Sequence, residues 1–174
     1  LTIEVVHHLI ATQTPHEPAA AKLEAIGFTV GQRLAERQSA SLSPFTEPLD
    51  VVKFVCKEFW HEIYRKQVDN LRTNHRGIYV LHDNRVRWLA RISPSAEQPV
   101  AMPDEGDDRS RPGAQTIATL YAKFPCGLIR GCLATFGIDA VVSAELSSPP
   151  ACQFTIKMAQ PQPRAPARPP GGGQ

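Results

Sequence analysis

Asp69, His75 and Asp83 lie close together in the middle of this chain. Two carboxylates and an imidazole are the raw material of hydrolytic acid–base chemistry. The stretch NLRTNHRGIYVLHDNRVRWLARI, residues 70 to 92, adds five arginines and a second histidine, and its single acid is Asp83. Hydrolysis would also need a nucleophile, an orienting group and an oxyanion donor. The sequence holds no G-x-S-x-G elbow, and no cysteine has a local catalytic signature. It holds no G-x-x-x-x-G-K-[ST] phosphate loop. His7 and His8 are adjacent, so on a helix they diverge, and no H-x-x-x-H occurs. Cys56, Cys126, Cys132 and Cys152 form no C-x-x-C pair and sit in apolar patterns, which reads as free buried thiols of a reducing compartment. The expectation is a protein that is no enzyme, with no catalytic residue, no metal and no cofactor.

The elements that would position these residues explain them more plainly. From about Thr46 to Leu71 runs the strongest helical pattern, with Val52, Val55, Cys56, Phe59 and Ile63 on one stripe. Thr46 is its expected cap, with Glu47 near the positive end and Pro48 in the first turn. The period then changes to two. IYVLH and VRWLARI read as a hairpin around Asp83 and Asn84, with Leu81 opposite Val86 and Tyr79 facing Trp88. Arg85, Arg87 and Arg91 then fall on the opposite, solvated side. That arrangement weighs against nucleic acid, because the two rings are expected to bury rather than stack on bases.

Upstream, residues 1 to 13 form a short amphipathic pattern through Ile3, Val6, Leu9 and Ile10. A second helix is expected over about 17 to 38, with Leu23, Ile26, Val30 and Leu34 on one face. Gly27 and Gly31 stand one turn apart inside it. Each costs about 1 kcal/mol against alanine, so another helix backbone must come very close there. A core contact is the plainer reading and a partner surface the sharper one. Residues 93 to 113 are rich in proline and charge and are expected to be a flexible insertion. A last helix is expected over about 115 to 136, kinked or divided by Pro125, with Gly127 and Gly131 again one turn apart and Gly137 ending it. Two strands follow, IDAVVSAEL and CQFTIKM, and the tail from 159 to 174 is expected to be disordered. The fold class is α+β, helices against an antiparallel sheet.

The totals of the 174-residue chain agree with one ordinary domain over 1 to 158: 42% hydrophobic, 21% charged, formal net charge +2. That balance announces neither nucleic acid nor a membrane surface. No apolar run approaches the roughly 20 residues of a bilayer span, and no signal-peptide series begins at Leu1. The chain opens on leucine rather than methionine, so its native start is expected to lie outside this sequence.

Three stretches carry a resemblance: KLEAIGFTVGQRLAER, LDVVKFVCKEFWHEIYRKQVDNLRTNHRGIYVLHDN and CGLIRGCLATFGIDAVVSAELSSPPACQF. They closely resemble the small subunits of TRAPP, the transport protein particle, in the subunit 6 branch. The resemblance implies an α/β plait, with four helices on one side of a twisted four-stranded antiparallel sheet. It implies a scaffold subunit of a vesicle-tethering complex that is a guanine nucleotide exchange factor for a Rab-type GTPase. The traffic it serves runs from ER to Golgi and within the Golgi, so the expected place is cytoplasmic, peripheral at those membranes. The implied partner is the central acylated small subunit, paired side by side through the first two helices, with other subunits beyond. The interface residues expected on that basis are Val6, Leu9, Ile10, Ile26, Gly27, Val30, Gly31 and Leu34, and the isolated chain is expected to self-associate through the same helices. The central subunit carries an acyl-bearing cysteine in the loop before its third helix; here that loop is SASLSPFTEP, without cysteine. A reading from another class is a plait domain that binds an acyl chain in a pocket lined by Phe59, Ile63, Phe124 and Leu128.

Overall fold

The computed structural model describes residues 16–40, 42–86, 114–148 and 150–159. The helix expected near the amino terminus, the insertion at 93 to 113 and the tail beyond Ala159 fall outside the described residues.

Helix α1 spans His16–Ser39. Its buried positions are Ala19, Ala20, Leu23, Gly27, Gly31 and Ala35, so its inward face is built mostly from small residues. The expected stripe of Leu23, Ile26, Val30 and Leu34 therefore splits. Leu23 is fully buried and Leu34 packs on the core, but Ile26 and Val30 are exposed. A second rod runs through α2 (Pro48–Phe54), a π-helical turn (Val55–Phe59) and α3 (Trp60–Tyr64). Glu47, not Thr46, is the N-cap residue, and Pro48 takes the first helical position, where its missing N–H costs nothing. Val51, Val52, Phe54, Val55, Phe59 and Trp60 bury one side of this rod.

The rod ends seven residues before the expected Leu71. Arg65 adopts a left-handed conformation, φ 57°, which stops the helix. The chain folds back as Val68 N–H reaches the Cys56 carbonyl at 2.9 Å. Asn70–Thr73 is strand β1, and it pairs antiparallel with β2, Ile78–Asp83. The first hairpin therefore lies earlier than the alternation suggested. Its loop is Asn74 to Gly77, where His75 and Gly77 take positive φ and the Asn74 side chain accepts the N–H groups of Arg76 and Ile78. Leu81 does not face Val86: it stands between Leu71 and Phe154. Tyr79 is in register with Thr73 and Ile156. Val86 is buried, with its N–H on the Pro150 carbonyl, and Arg87, Trp88 and Arg91 lie outside the described residues. The reason is that β2 is an inner strand. Both its edges are taken, by β1 and by β4, so the segment after it cannot pair there.

Helix α4, Ala114–Thr135, runs unbroken through Pro125. Strands β3 (Ala140–Ser148) and β4 (Ala151–Met158) complete an antiparallel sheet of order β1-β2-β4-β3. Tyr79, Leu81, Phe154, Ile156 and Val142 turn one face of that sheet to the helices. Trp60, fully buried, packs edge-on against Phe154 with ring centroids 5.3 Å apart. Helices on one face of a four-stranded antiparallel sheet make an α+β domain.

Candidate partner interface

Of the acid–base residues that first suggested chemistry, Asp69 and Asp83 meet through Lys66, but His75 does not join them. His75 is exposed in the β1–β2 loop. Asp83 is buried and structural: Trp60 Nε1 donates to its Oδ2 at 3.0 Å, and Lys66 Nζ donates to its Oδ1 at 2.6 Å. Lys66 also reaches Asp69, whose Oδ2 accepts the Asn84 N–H at 2.7 Å. Burial acts to lower the Lys66 pKa, but its bonds to Asp83 and Asp69 outweigh that and raise it. Burial likewise acts to raise the Asp69 carboxyl, but the Asn84 N–H and Lys66 hold it below the ordinary range. The cluster pins the end of α3 to the end of β2. No nucleophile stands beside it among the described residues. All four cysteines are free and buried, and burial pushes the Cys56 and Cys126 thiols up to about 12. They are thiols, not thiolates, and hence poor nucleophiles. Among the described residues no group of three His, Cys, Asp or Glu could hold a metal ion, and no helix is long and apolar enough to cross a membrane.

Phe59, Phe124 and Leu128 are buried in the core, and Ile63 packs against it. A surface groove of about 530 Å³ lies elsewhere, between the end of α1 and the start of α2, with Leu42, Phe45, Val51, Phe136 and Ile138 in its wall. Phe45 fills much of this corner, with its ring 5.0 Å from Phe136 and 5.5 Å from Phe54.

The strongest constraint in the molecule lies between α1 and α4. A Cβ placed on Gly27 would come 2.3 Å from the Phe124 carbonyl oxygen, and one on Gly31 2.3 Å from that of Leu128. In return, a Cβ on Gly127 or Gly131 would come 2.1 Å from the carbonyl oxygens of Glu24 and Phe28. Four glycines thus let two helix backbones touch. Gly27 and Gly31 are used within the chain, against α4, and so are withdrawn from the expected partner surface. Arg130 closes the seam by pairing with Glu24 and lying 5.0 Å over the Phe28 ring.

With its glycine face spent on α4, α1 turns the opposite face outward. Ile26 is 39% and Val30 37% exposed. Ala21, Ala25 and Thr29 are exposed beside them. The Thr29 hydroxyl donates to the Ala25 carbonyl at 3.2 Å, so it is satisfied within its own helix. The result is a shallow apolar strip with charge only at its borders, Lys22 and Arg33. Alternation at four residues, 21-25-29 and 22-26-30, was visible in the sequence, but alanine and threonine give a weak hydrophobic signal. Val6, Leu9 and Ile10, expected to extend the strip, lie outside the described residues.

Comparisons with known proteins bear on this arrangement. The family described as Transport protein particle (TRAPP) component matches residues 1–159. The chain is 45% identical over 137 residues to trafficking protein particle complex subunit 6B of Mus musculus, covering 78% of this chain and 75% of that protein. It is 38% identical over 161 residues to subunit 6A of Homo sapiens, covering 90% and 91%. The fold is similar, with TM-score 0.65 over 91% of each chain and 14% identity, to a trafficking protein particle complex subunit 3 from Naegleria fowleri whose structure is covalently bound to palmitic acid. The chain belongs to the TRAPP component family, in its subunit 6 branch.

Proposed function

We propose that this chain is a non-catalytic scaffold subunit of the TRAPP vesicle-tethering complex. In that role it supports guanine nucleotide exchange on a Rab-type GTPase without supplying the exchange surface. It acts peripherally on cytoplasmic faces of Golgi and ER-to-Golgi membranes. Its first contact is a side-by-side heterodimer with the central acylated small subunit, and other subunits of the complex lie beyond it. The observation that carries this reading is the outward strip of α1, with Ile26 and Val30 exposed on a helix whose other face is locked to α4. A rigid helix with an apolar outer face is what a lasting protein interface requires. A subunit 3 shares the fold, which favours like surfaces meeting side by side. The loop Ser43–Pro44–Phe45 offers no thiol for acylation, so membrane attachment would come from the partner.

The experiment is co-purification of the full chain with the central subunit. The wild type should pull it down, and folded Val30→Arg should not. Normal pull-down by folded Val30→Arg would remove the α1 strip from the interface.

A further inference from the structure

The two edges of the sheet are guarded unequally. Edge strand β1 has four residues, and two of them, Asn70 and Arg72, are exposed and polar. Edge strand β3 has nine residues, AVVSAELSS, with no proline, lysine or arginine. Its Val141 is 68% exposed. A bulge breaks its register between Glu145 and Ser148, but over Ala140–Glu145 no strand among the described residues pairs with its outer side, and a long open edge is a template for another strand.

Which groups β3 leaves open follows from its register. Ala159 N–H donates to the Asp139 carbonyl, and the pairs Val141↔Lys157, Ser143↔Thr155 and Glu145↔Gln153 continue that phase. In an antiparallel ladder alternate residues bond to the same neighbour. Ala140, Val142 and Ala144 therefore aim their N–H and C=O groups at the free side. The side chains of Asp139, Val141, Ser143 and Glu145 are exposed on the sheet face away from the helices. Neither carboxylate has an ion-pair partner among the described residues. A groove of about 490 Å³ opens beside the first half of this edge, lined by Arg130, Ala134, Ile138, Val141, Lys157 and Met158.

We propose that the edge of β3 left open among the described residues receives, over Ala140–Glu145, an extended, basic segment of a partner protein by antiparallel strand addition. Residues directly opposite on neighbouring strands interact, and opposite charges there are favourable. The fitting segment carries basic residues six apart, facing Glu145 and Asp139, with an apolar residue between them facing Val141. Lys157 lies one strand further in, on the row of Val141, so it meets the apolar residue and not the cations. Arg130 is already held by Glu24. The alternate side chains of the segment turn toward the groove. A second copy of β3 fits less well: pairing about Val142 sets Asp139 against Glu145, and pairing about Ser143 gives Glu145 no cation.

The probe is a fluorescent nonapeptide with lysine at its second and eighth positions, threonine at its fourth and valine at all others. N-methyl groups on the fourth and sixth amides, which face away from β3, keep it from stacking on itself. Anisotropy with the full chain should show saturable binding. The same peptide methylated at the third and fifth amides, which face β3, should bind at least tenfold more weakly. Glu145→Lys should weaken the lysine peptide at least tenfold and favour a glutamate version. Ala144→Pro removes one open donor without touching a β4 bond, and, if circular dichroism shows it folded, it should also lose tenfold. No saturable binding, equal binding of both methylated peptides, or indifference to Glu145→Lys would overturn the proposal. Self-association of the free chain that Ala144→Pro abolishes would assign the edge to a second copy and overturn it as well.

Discussion

The two faces of α1 obey different physics. The inner face, Gly27 and Gly31 on Gly127 and Gly131, has no side-chain volume to give: backbone lies on backbone. The outer face, Ala25, Ile26, Thr29 and Val30, is exposed and packs against no other described element. One face is fixed by steric exclusion and the other exposes apolar side chains. The difference teaches that the apolar content of a helix is a poor guide to which side it buries. Here the smallest residues are inside and two β-branched ones are outside, because close approach gains more dispersion contact for α4 than Ile26 or Val30 would.

Substitutions on the two faces should therefore separate folding from assembly. The largest effect is expected at Gly131→Leu. Its side chain would start 2.1 Å from the Phe28 carbonyl, so α1 and α4 must part along their length. A loss above about 4 kcal/mol is expected, enough to unfold a marginal domain. Thermal unfolding checks it, and a stable Gly131→Leu protein would break the comparison. Val30→Arg comes next and should act on the other axis. It should change unfolding by no more than about 0.5 kcal/mol, as at an ordinary surface site. It should cost association with the central subunit roughly 2–4 kcal/mol, because the charge would be buried without a counter-ion. Titration by fluorescence or calorimetry measures that cost.

Smaller still is Glu24→Gln, which removes the ion that Arg130 meets at the rim of the seam. Both side chains keep solvent contact, so about 0.5–1 kcal/mol of folding stability is expected, falling with added salt. A denaturant series at two ionic strengths checks this and shows how little of the seam is electrostatic. The smallest effect lies away from α1, at Asp69. Its folded carboxyl titrates below its ordinary value, so it contributes stability above that value and loses it as pH falls through the folded one. Lys66 stays charged throughout and adds nothing to this window, since its own contribution is lost only when pH rises through its raised value. Melting temperatures between pH 6 and pH 3 should fall slightly less in Asp69→Asn than in the wild type. Equal falls would mean that the Asn84 N–H and Lys66 bonds do not outlast solvent exchange.

Much of the architecture was legible before any coordinates. The helical stretches around α1 and α4 and the two carboxy-terminal strands stand within a few residues of where periodicity put them, and Gly137, φ 72°, ends α4 as expected. Strand β1 was not legible. Asn70–Thr73 has one apolar residue, Leu71, and an edge strand of four residues is too short to show alternation against the helix before it. Pro125 does not divide the helix, one of the two outcomes expected of it. A proline removes one N–H bond, but Phe124, Cys126, Leu128 and Ile129 on either side are all buried, and that packing carries the helix through. Of the residues expected at a partner interface, Ile26 and Val30 stand exposed and Gly27 and Gly31 belong to the internal seam; the contact itself belongs to the proposal above.

The sequence by itself determined α1, α4, β3 and β4, the close approach demanded by paired glycines, the buried cysteines and, by resemblance, the family. Those properties are local: they rest on period, on residue volume and on motifs of a dozen residues. Only the tertiary structure decided that α4 meets the α1 glycines, that β2 takes β1 and β4 as neighbours rather than the segment after it, and that Asp83 is a buried clamp for Trp60 and Lys66 rather than a catalytic acid. Each of these joins residues far apart along the chain. A glycine states that something must come close, and an acid that something must neutralise it. Which backbone or which cation answers is settled when all the surfaces compete for burial at once.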